Sequence, residues 1–417
     1  MPPLTTQPNP NTRLFSIPLL VAALGYFVDV YDLLLFSIIR KPSLESLGLN
    51  AEQVLTQGEH IISLQMIGLL IGGVLWGVIG DKKGRLSVLF GSILLYSLAN
   101  IANGFVQTVE QYAWIRFVAG IGLAGELGAG ITLVSEIAPK EKRGIATSLV
   151  AGIGLSGAVL AYFCKEFFES WRTCYFIGGG LGLALLFLRI QVFESALYKK
   201  MQHTNVAKGN VFQLFNTPKR LKKYLLSVAI GLPTWYVIGV LVTFSAEFAE
   251  RFGIIDKVDS GRAVMFAYLA IAIGDIAIGF VSQSLRSRRK ALFVFYGITI
   301  LFIGLFFSQL YGGTAGQLYA VCAGLGFGTG FWAIFVTMGA EQYGTNIRAT
   351  AATTIPNMVR GLLSVFILPL FQLLRGANKE HFVQGAIITG VIVMAISCTA
   401  AYLIEETFGK DMNFIEE

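Results

Sequence analysis

Apolar residues occur in this chain as long blocks separated by short polar stretches, and the blocks carry few charges. A helix needs about 20 mostly apolar residues to cross the hydrocarbon of a bilayer. Twelve blocks meet that requirement, at roughly 14–39, 60–80, 86–106, 111–136, 145–166, 172–193, 223–246, 262–284, 291–310, 315–340, 347–374 and 382–404. The strongest, such as Leu86–Phe105 and Ala291–Leu310, contain no charged residue. The pattern predicts an all-α integral membrane protein with twelve transmembrane helices. Residues 1–13 are polar and proline-rich, and are expected to form a disordered tail. No small-residue cleavage site follows the first apolar block, so it reads as a retained helix and not as a signal peptide.

The longest polar break, 194–222, separates six spans (14–193) from six more (223–404), with a short tail at 405–417. The halves echo each other. Gly77–Arg85 (GVIGDKKGR) follows the second span and Gly279–Arg289 (GFVSQSLRSRR) the eighth. Glu136 stands seven residues before Arg143 after the fourth span, and Glu341 seven before Arg348 after the tenth. Phe193–Lys200 after the sixth span parallels Glu405–Asp411 after the twelfth. The offsets are 202, 205 and 212 residues, in the same order, which indicates two homologous halves. Parallel halves with a site between them near the bilayer midplane are a transporter architecture.

Composition agrees with the pattern. The chain is 54% hydrophobic and 14% charged, where soluble proteins carry about 25% charged residues. A water-soluble enzyme is therefore excluded. Its 47 glycines suit helices that approach closely in a membrane. The net charge of +7 needs no nucleic-acid partner. With the N-terminus inside, about 20 of the 32 basic residues fall in cytoplasmic segments and about nine in external ones, as the positive-inside rule requires. Both termini are expected in the cytoplasm, and the protein in the cell (inner or plasma) membrane. Four scattered cysteines form neither a disulfide framework nor a CxxC metal pattern.

The motifs carry a family resemblance. GxxxDKxGR at Gly77–Arg85 resembles the signature of the major facilitator superfamily in the loop after span two. Arg116–Gly144 is similar to span four of its metabolite:proton symporter branch, and Gly25–Ser37 resembles span one of that branch and of the phosphate:proton symporters. EETFGKDMNFIEE at the end is similar to the sugar-porter C-terminal segment. The resemblance implies the major facilitator fold of two pseudo-symmetric six-helix bundles, rocking about a central site. Gln283 stands where the first repeat has Asp81, and Gly344 where it has Pro139. Span seven lacks the glutamine-and-asparagine pattern with which sugar porters hold hexoses.

A charge near a helix centre costs about 2.5–3.5 kcal/mol on insertion scales, so each one needs a partner, a wet cavity or a function. Asp29, Asp32, Arg116, Glu126, Arg189, Asp275 and Arg360 lie within spans. Arg189 is close to a span end and is expected to snorkel. At about 1.5 Å per residue, Asp32 and Arg116 share a level in spans one and four, and Asp29 shares a helix face with Asp32. Asp32 or Asp29 is the candidate proton-coupling carboxylate, with Arg116 tuning it; the alternative is a structural ion pair. The resemblance points the same way: Asp32 matches the sugar-porter aspartate, Asp29 the phosphate-symporter one, and Arg116 the span-four arginine. Glu126, among glycines, is a substrate or proton group, or else a buried hydrogen-bonded glutamate. Arg360 follows Pro356 and Asn357, where a kink is expected. Its planar fork suits a carboxylate, or it pairs with Asp275. Trp235, Tyr236 and Trp332 are candidate cavity aromatics.

Gly77, Asp81, Lys83 and Arg85, with Glu136, Arg143, Glu341 and Arg348, are assigned to an inner gate. Gly152, Gly154 and Gly157 read as close helix packing, and the missing proline after Gly154 argues against drug export. There is no HExxH, CxxC or P-loop, so neither metal nor cofactor is expected and the driving force is an ion or solute gradient. The expected function is proton symport of a small polar metabolite, an organic anion or zwitterion, by a monomer in a lipid bilayer. Sodium coupling stays open, since a carboxylate serves either cation. The rivals are an efflux antiporter for an amphiphile and a non-transporting transceptor.

Overall fold

A computed structural model describes residues 17–83, 85–126, 128, 130, 134, 143–196, 214–344, 347–376 and 381–410. Every described regular element is helical. The first half holds α1 (Ile17–Ser46), α2 (Ala51–Lys83), α3 (Arg85–Asn103), α4 (Val109–Leu123), α5 (Arg143–Leu155), α6 (Gly157–Phe167) and α7 (Trp171–Ala196). The second holds α8 (Pro218–Tyr236), α9 (Ser245–Arg251), α10 (Ser260–Leu285), α11 (Arg288–Ser308), α12 (Ala315–Gly328), α13 (Trp332–Glu341), α14 (Arg348–Leu362), α15 (Leu368–Arg375) and α16 (Phe382–Leu403). Ten helical stretches are long and apolar enough to cross a membrane. Ser87–Asn103 is a shorter apolar helix, and the fourth span starts at Val109. Together they account for the twelve spans of the hydropathy pattern.

Polar residues at the span ends start the helices. Thr108, Thr217 and Ser287 accept from the backbone N–H three residues on, which satisfies a donor with no intrahelical partner. Thr314 and Gln317 form a reciprocal capping box ahead of α12. In mid-span, regularity is lost at places in the second half. A π-helical stretch Val237–Val242 prolongs α8, and another, Leu363–Ile367, joins α14 to α15. Helix α14 runs through Pro356, so the irregular stretch falls beyond the expected kink. The tenth span is cut in two between Gly328 and Trp332.

Glycine contacts display the repeat. A Cβ on Gly120 would sit 2.2 Å from the Gln65 carbonyl oxygen, and one on Gly326 would sit 2.1 Å from that of Ala267. Spans four and two therefore touch backbone to backbone in one half, as spans ten and eight do in the other. Between the halves, α2 packs along α14 and α5 along α10. A single buried apolar core runs through both halves.

Candidate functional site

Residues of both halves line a small cavity near mid-span, of about 20 Å³. Tyr26 of α1 and Leu155 of α5 line it from one side; Trp235, Tyr268, Trp332 and Arg360 line it from the other. A space of that size holds roughly one water. Arg360, Trp235 and Trp332 were singled out in the sequence, and the fold gathers them at this wall. Thr234, Tyr26 and Tyr268 had no sequence signal beyond being polar in a span.

Arg360 is 1% exposed. Its Nη1 donates to Asn357 Oδ1 at 3.3 Å, its guanidinium lies 5.7 Å from the centre of the Trp332 ring, and its Nε has no partner. Asn357 donates to the carbonyls of Ala124 and Thr353 at 2.7 and 2.8 Å. It thereby ties span eleven to span four and holds Arg360 in place. Of the two alternatives for Arg360, the pair with Asp275 does not form among the described residues. Asp275 Oδ1 instead accepts the Ala333 N–H at 2.9 Å, because the break in span ten presents a free helix end beside it. Tyr236 is not at the cavity either: its hydroxyl donates to the Ala386 carbonyl at 2.7 Å, which spends it on packing against span twelve.

Among the described residues, the first half contains two buried ion pairs. Arg116 Nη1 donates to Asp32 Oδ1 at 2.9 Å and to Asn100 at 3.1 Å, and Nη2 to the Asp32 carbonyl at 3.0 Å. The equal depth read from the sequence thus becomes contact. Asp29, one turn away, is fully buried, and neither carboxylate oxygen has a hydrogen-bond partner. The second pair joins Glu126 to Arg189, with Nη1 donating to Oε2 at 3.0 Å and Nη2 to Oε1. Arg189 does not snorkel. It is 0% exposed, drawn inward because Glu126 lies within reach across the bundle. Glu126 is accordingly a paired group and not a free one.

At the end of the molecule bearing the C-terminus of α1, three ion pairs bridge the halves. Arg40 meets Glu247 at 2.8 Å, Arg375 meets Glu59 at 2.7 and 3.1 Å, and Lys165 meets Asp259 at 2.6 Å. Sequence reasoning missed them. Their partners lie 207, 316 and 94 residues apart, and the only signal was opposite charge at the same end of paired spans. Glu247 lies beyond the seventh span. Burial disfavours its charge, but Arg40 and Lys41 outweigh burial and hold its carboxyl below the ordinary value.

Toward the other end, Thr350 donates to the Gly77 carbonyl at 3.4 Å, and the hydroxyls of Thr147 and Thr337 meet at 3.2 Å. These contacts join the two halves on this side of the cavity. Gly77 thus lies at an interface of the halves, and Lys83 is exposed. The side chains of Asp81, Arg85 and Arg143, and the whole of Glu136, lie outside the described residues. Glu341 is held by Arg288, at 2.8 and 3.2 Å, whereas Arg348 Nε donates to the Tyr343 carbonyl at 3.3 Å. The seven-residue spacing of Glu341 and Arg348 is therefore not a contact.

Known proteins resemble the chain over most of its length. The model of the Major Facilitator Superfamily matches residues 22–369. The niacin transporter NiaP of Acinetobacter baylyi is 26% identical, with 95% of both chains covered. The 3-(3-hydroxy-phenyl)propionate transporter of Escherichia coli is 27% identical, covering 81% of this chain and 82% of that one. Among solved structures, the proton:xylose symporter XylE bound to 6-bromo-6-deoxy-D-glucose superposes with a TM-score of 0.74 at 17% identity, over 95% of this chain and 97% of that one. That likeness concerns the fold.

Proposed function

Since the chain belongs to the Major Facilitator Superfamily and is a multi-pass transporter of small metabolites, not an enzyme, we propose that it moves a planar organic carboxylate together with a proton. The observation that carries this reading is an uncompensated cation at the cavity wall. Arg360 is buried, faces Trp332, and pairs with no carboxylate among the described residues. An arginine fork receives a carboxylate through two parallel hydrogen bonds. Trp235 and Trp332, with ring centres 6.5 Å apart, offer flat apolar faces to an unsaturated body. The relatives named for niacin and 3-(3-hydroxy-phenyl)propionate handle aromatic carboxylates, which supports the same class.

Asp29 is the proton-coupling group in this proposal, and Asp32 is the structural partner of Arg116. Both oxygens of Asp29 are free of hydrogen bonds, whereas Asp32 is committed to Arg116. Asp29 and Arg360 are both buried and opposite in charge, so they attract each other across the low-dielectric interior. A carboxylate seated on Arg360 offsets that attraction, so anion binding and proton uptake assist each other. Alternating exposure of the cavity to the two membrane faces then carries both together. The basic loops support cytoplasmic termini in a cell membrane, and a site lined by both halves of one chain supports a working monomer.

The test uses purified protein in liposomes with an imposed pH difference and no sodium. Nicotinate, benzoate and muconate are the probes. Wild type is expected to accumulate at least one of them. Asp29→Asn is expected to abolish accumulation while retaining exchange of labelled for unlabelled substrate, and Arg360→Ala to raise KM at least 10-fold. Equal uptake with the pH difference abolished removes proton coupling. Accumulation by Asp29→Asn at the wild-type level moves that role elsewhere.

A further inference from the structure

The polar group buried beside the cavity without touching it is Asp275, which sits where the tenth span is broken. Helix α12 ends at Gly328 and α13 begins at Trp332. The intervening turn is pressed against α10: a Cβ on Gly330 would lie 2.6 Å from the Gly274 Cα. The residue after Gly274 is Asp275, so its carboxylate meets the free end of α13 at close quarters. Its Oδ1 accepts the Ala333 N–H at 2.9 Å, one of the first-turn donors that a helix leaves without an internal partner. Its Oδ2 has no partner, and no basic side chain bridges it among the described residues. The carboxylate is held by a helix end, where the dipole favours negative charge.

We infer that Asp275 is a positioning residue, which caps α13 and thereby sets Trp332 at the wall of the Arg360 site. Trp332 immediately precedes the capped Ala333. Its indole packs on Phe335 at 5.0 Å, faces Trp235 at 6.5 Å and lies against the Arg360 guanidinium at 5.7 Å. Trp235 and Arg360, two further residues lining the cavity, thus meet the indole that this cap positions. The cap needs an acceptor oxygen in this place and does not need a charge. Asparagine caps helices as well as aspartate does, whereas a proton or cation carrier requires the ionisable carboxyl.

The experiment compares Asp275→Asn with Asp275→Ala, and with Asp275→Ser where the alanine variant does not fold. The first readout is the emission of Trp332, taken as the difference between each protein and the same protein carrying Trp332→Phe. The expected result is an unchanged spectrum for Asp275→Asn and a shifted one for the alanine or serine variant. This readout is independent of transport. The second rests on the carboxylate reading proposed above: KM unchanged within twofold for Asp275→Asn and raised about 10-fold for Asp275→Ala, with proton coupling intact in both. If wild type shows no saturable carboxylate uptake, the substrate reading fails and the fluorescence arm alone decides the cap. A Trp332 spectrum indifferent to Asp275→Ala, or Asp275→Asn behaving like Asp275→Ala in either arm, overturns the inference.

Discussion

Asp32 and Asp29 are three residues apart on one helix, yet their surroundings give them different work. Asp32 neutralises Arg116, and the pair is also tied to Asn100. Asp29 faces no donor and is free to gain or lose a proton without breaking a contact. The Glu126–Arg189 pair follows the logic of Asp32. Removing one member of a buried pair strands the other charge, at a cost of about 3–5 kcal/mol, whereas replacing both with apolar groups is often neutral. Glu126→Gln is therefore expected to lower the thermal midpoint in detergent markedly, and Glu126→Leu with Arg189→Met to recover most of it. A double variant no more stable than the single one argues that the pair does more than hold spans four and six together. The sequence shows each of these charges but not its surroundings.

At the scale of elements, span ends are held by polar groups that hydropathy alone does not expose. Glu406 follows α16 and accepts from the Ser287 hydroxyl at 2.5 Å and from the Arg288 N–H at 3.0 Å, which fastens the start of α11. Burial disfavours its charge, but the Ser287 hydroxyl and the N–H groups of Phe408, Arg288 and Arg289 prevail and hold its carboxyl below the ordinary value. A carboxyl lowered in the folded state stabilises above its ordinary value and loses that contribution as pH falls through the folded one. The stability gap between wild type and Glu406→Ala is thus expected to be level from pH 6 to 8 and to close only in acid below about pH 4.5. Thermal unfolding across that range checks it, and a gap that closes near neutrality contradicts it. The tail was read from the sequence as a repeat of the segment after span six; its role as a cap appears only when α16 is brought beside α11.

For the whole molecule, three ion pairs at the α1 C-terminal end bridge the halves on that side among the described residues. Arg40 and Lys41 hold the Glu247 carboxyl below its ordinary value, so the Arg40–Glu247 bridge persists at neutral pH. Breaking all three bridges is expected to open this end. In the triple variant Glu59→Gln, Glu247→Gln, Asp259→Asn, spin labels at the adjoining ends of α2 and α15 should move apart by several ångströms, and Tyr268→Cys should become reactive from that side. Unchanged distances would mean that apolar packing, not the ion pairs, sets the closed state.

The sequence by itself determined the number of crossings, the six-plus-six repeat and the short roster of charges within the spans. These depend on composition over stretches of about 20 residues and on offsets along the chain, both of which are local or periodic properties. Arg360, Trp235 and Trp332 stood out one by one, as costly or bulky residues in a span, and only the fold brings them to one cavity, without Tyr236. Tertiary structure alone decided the partners: Arg189 with Glu126, Arg288 with Glu341, Asp275 with the end of α13, and the bridges between the halves. Such pairings join residues from 53 to 316 positions apart. They depend on helix rotation about its own axis and on which spans adjoin, and a 3.6-residue periodicity that buries apolar faces on nearly every side does not encode either.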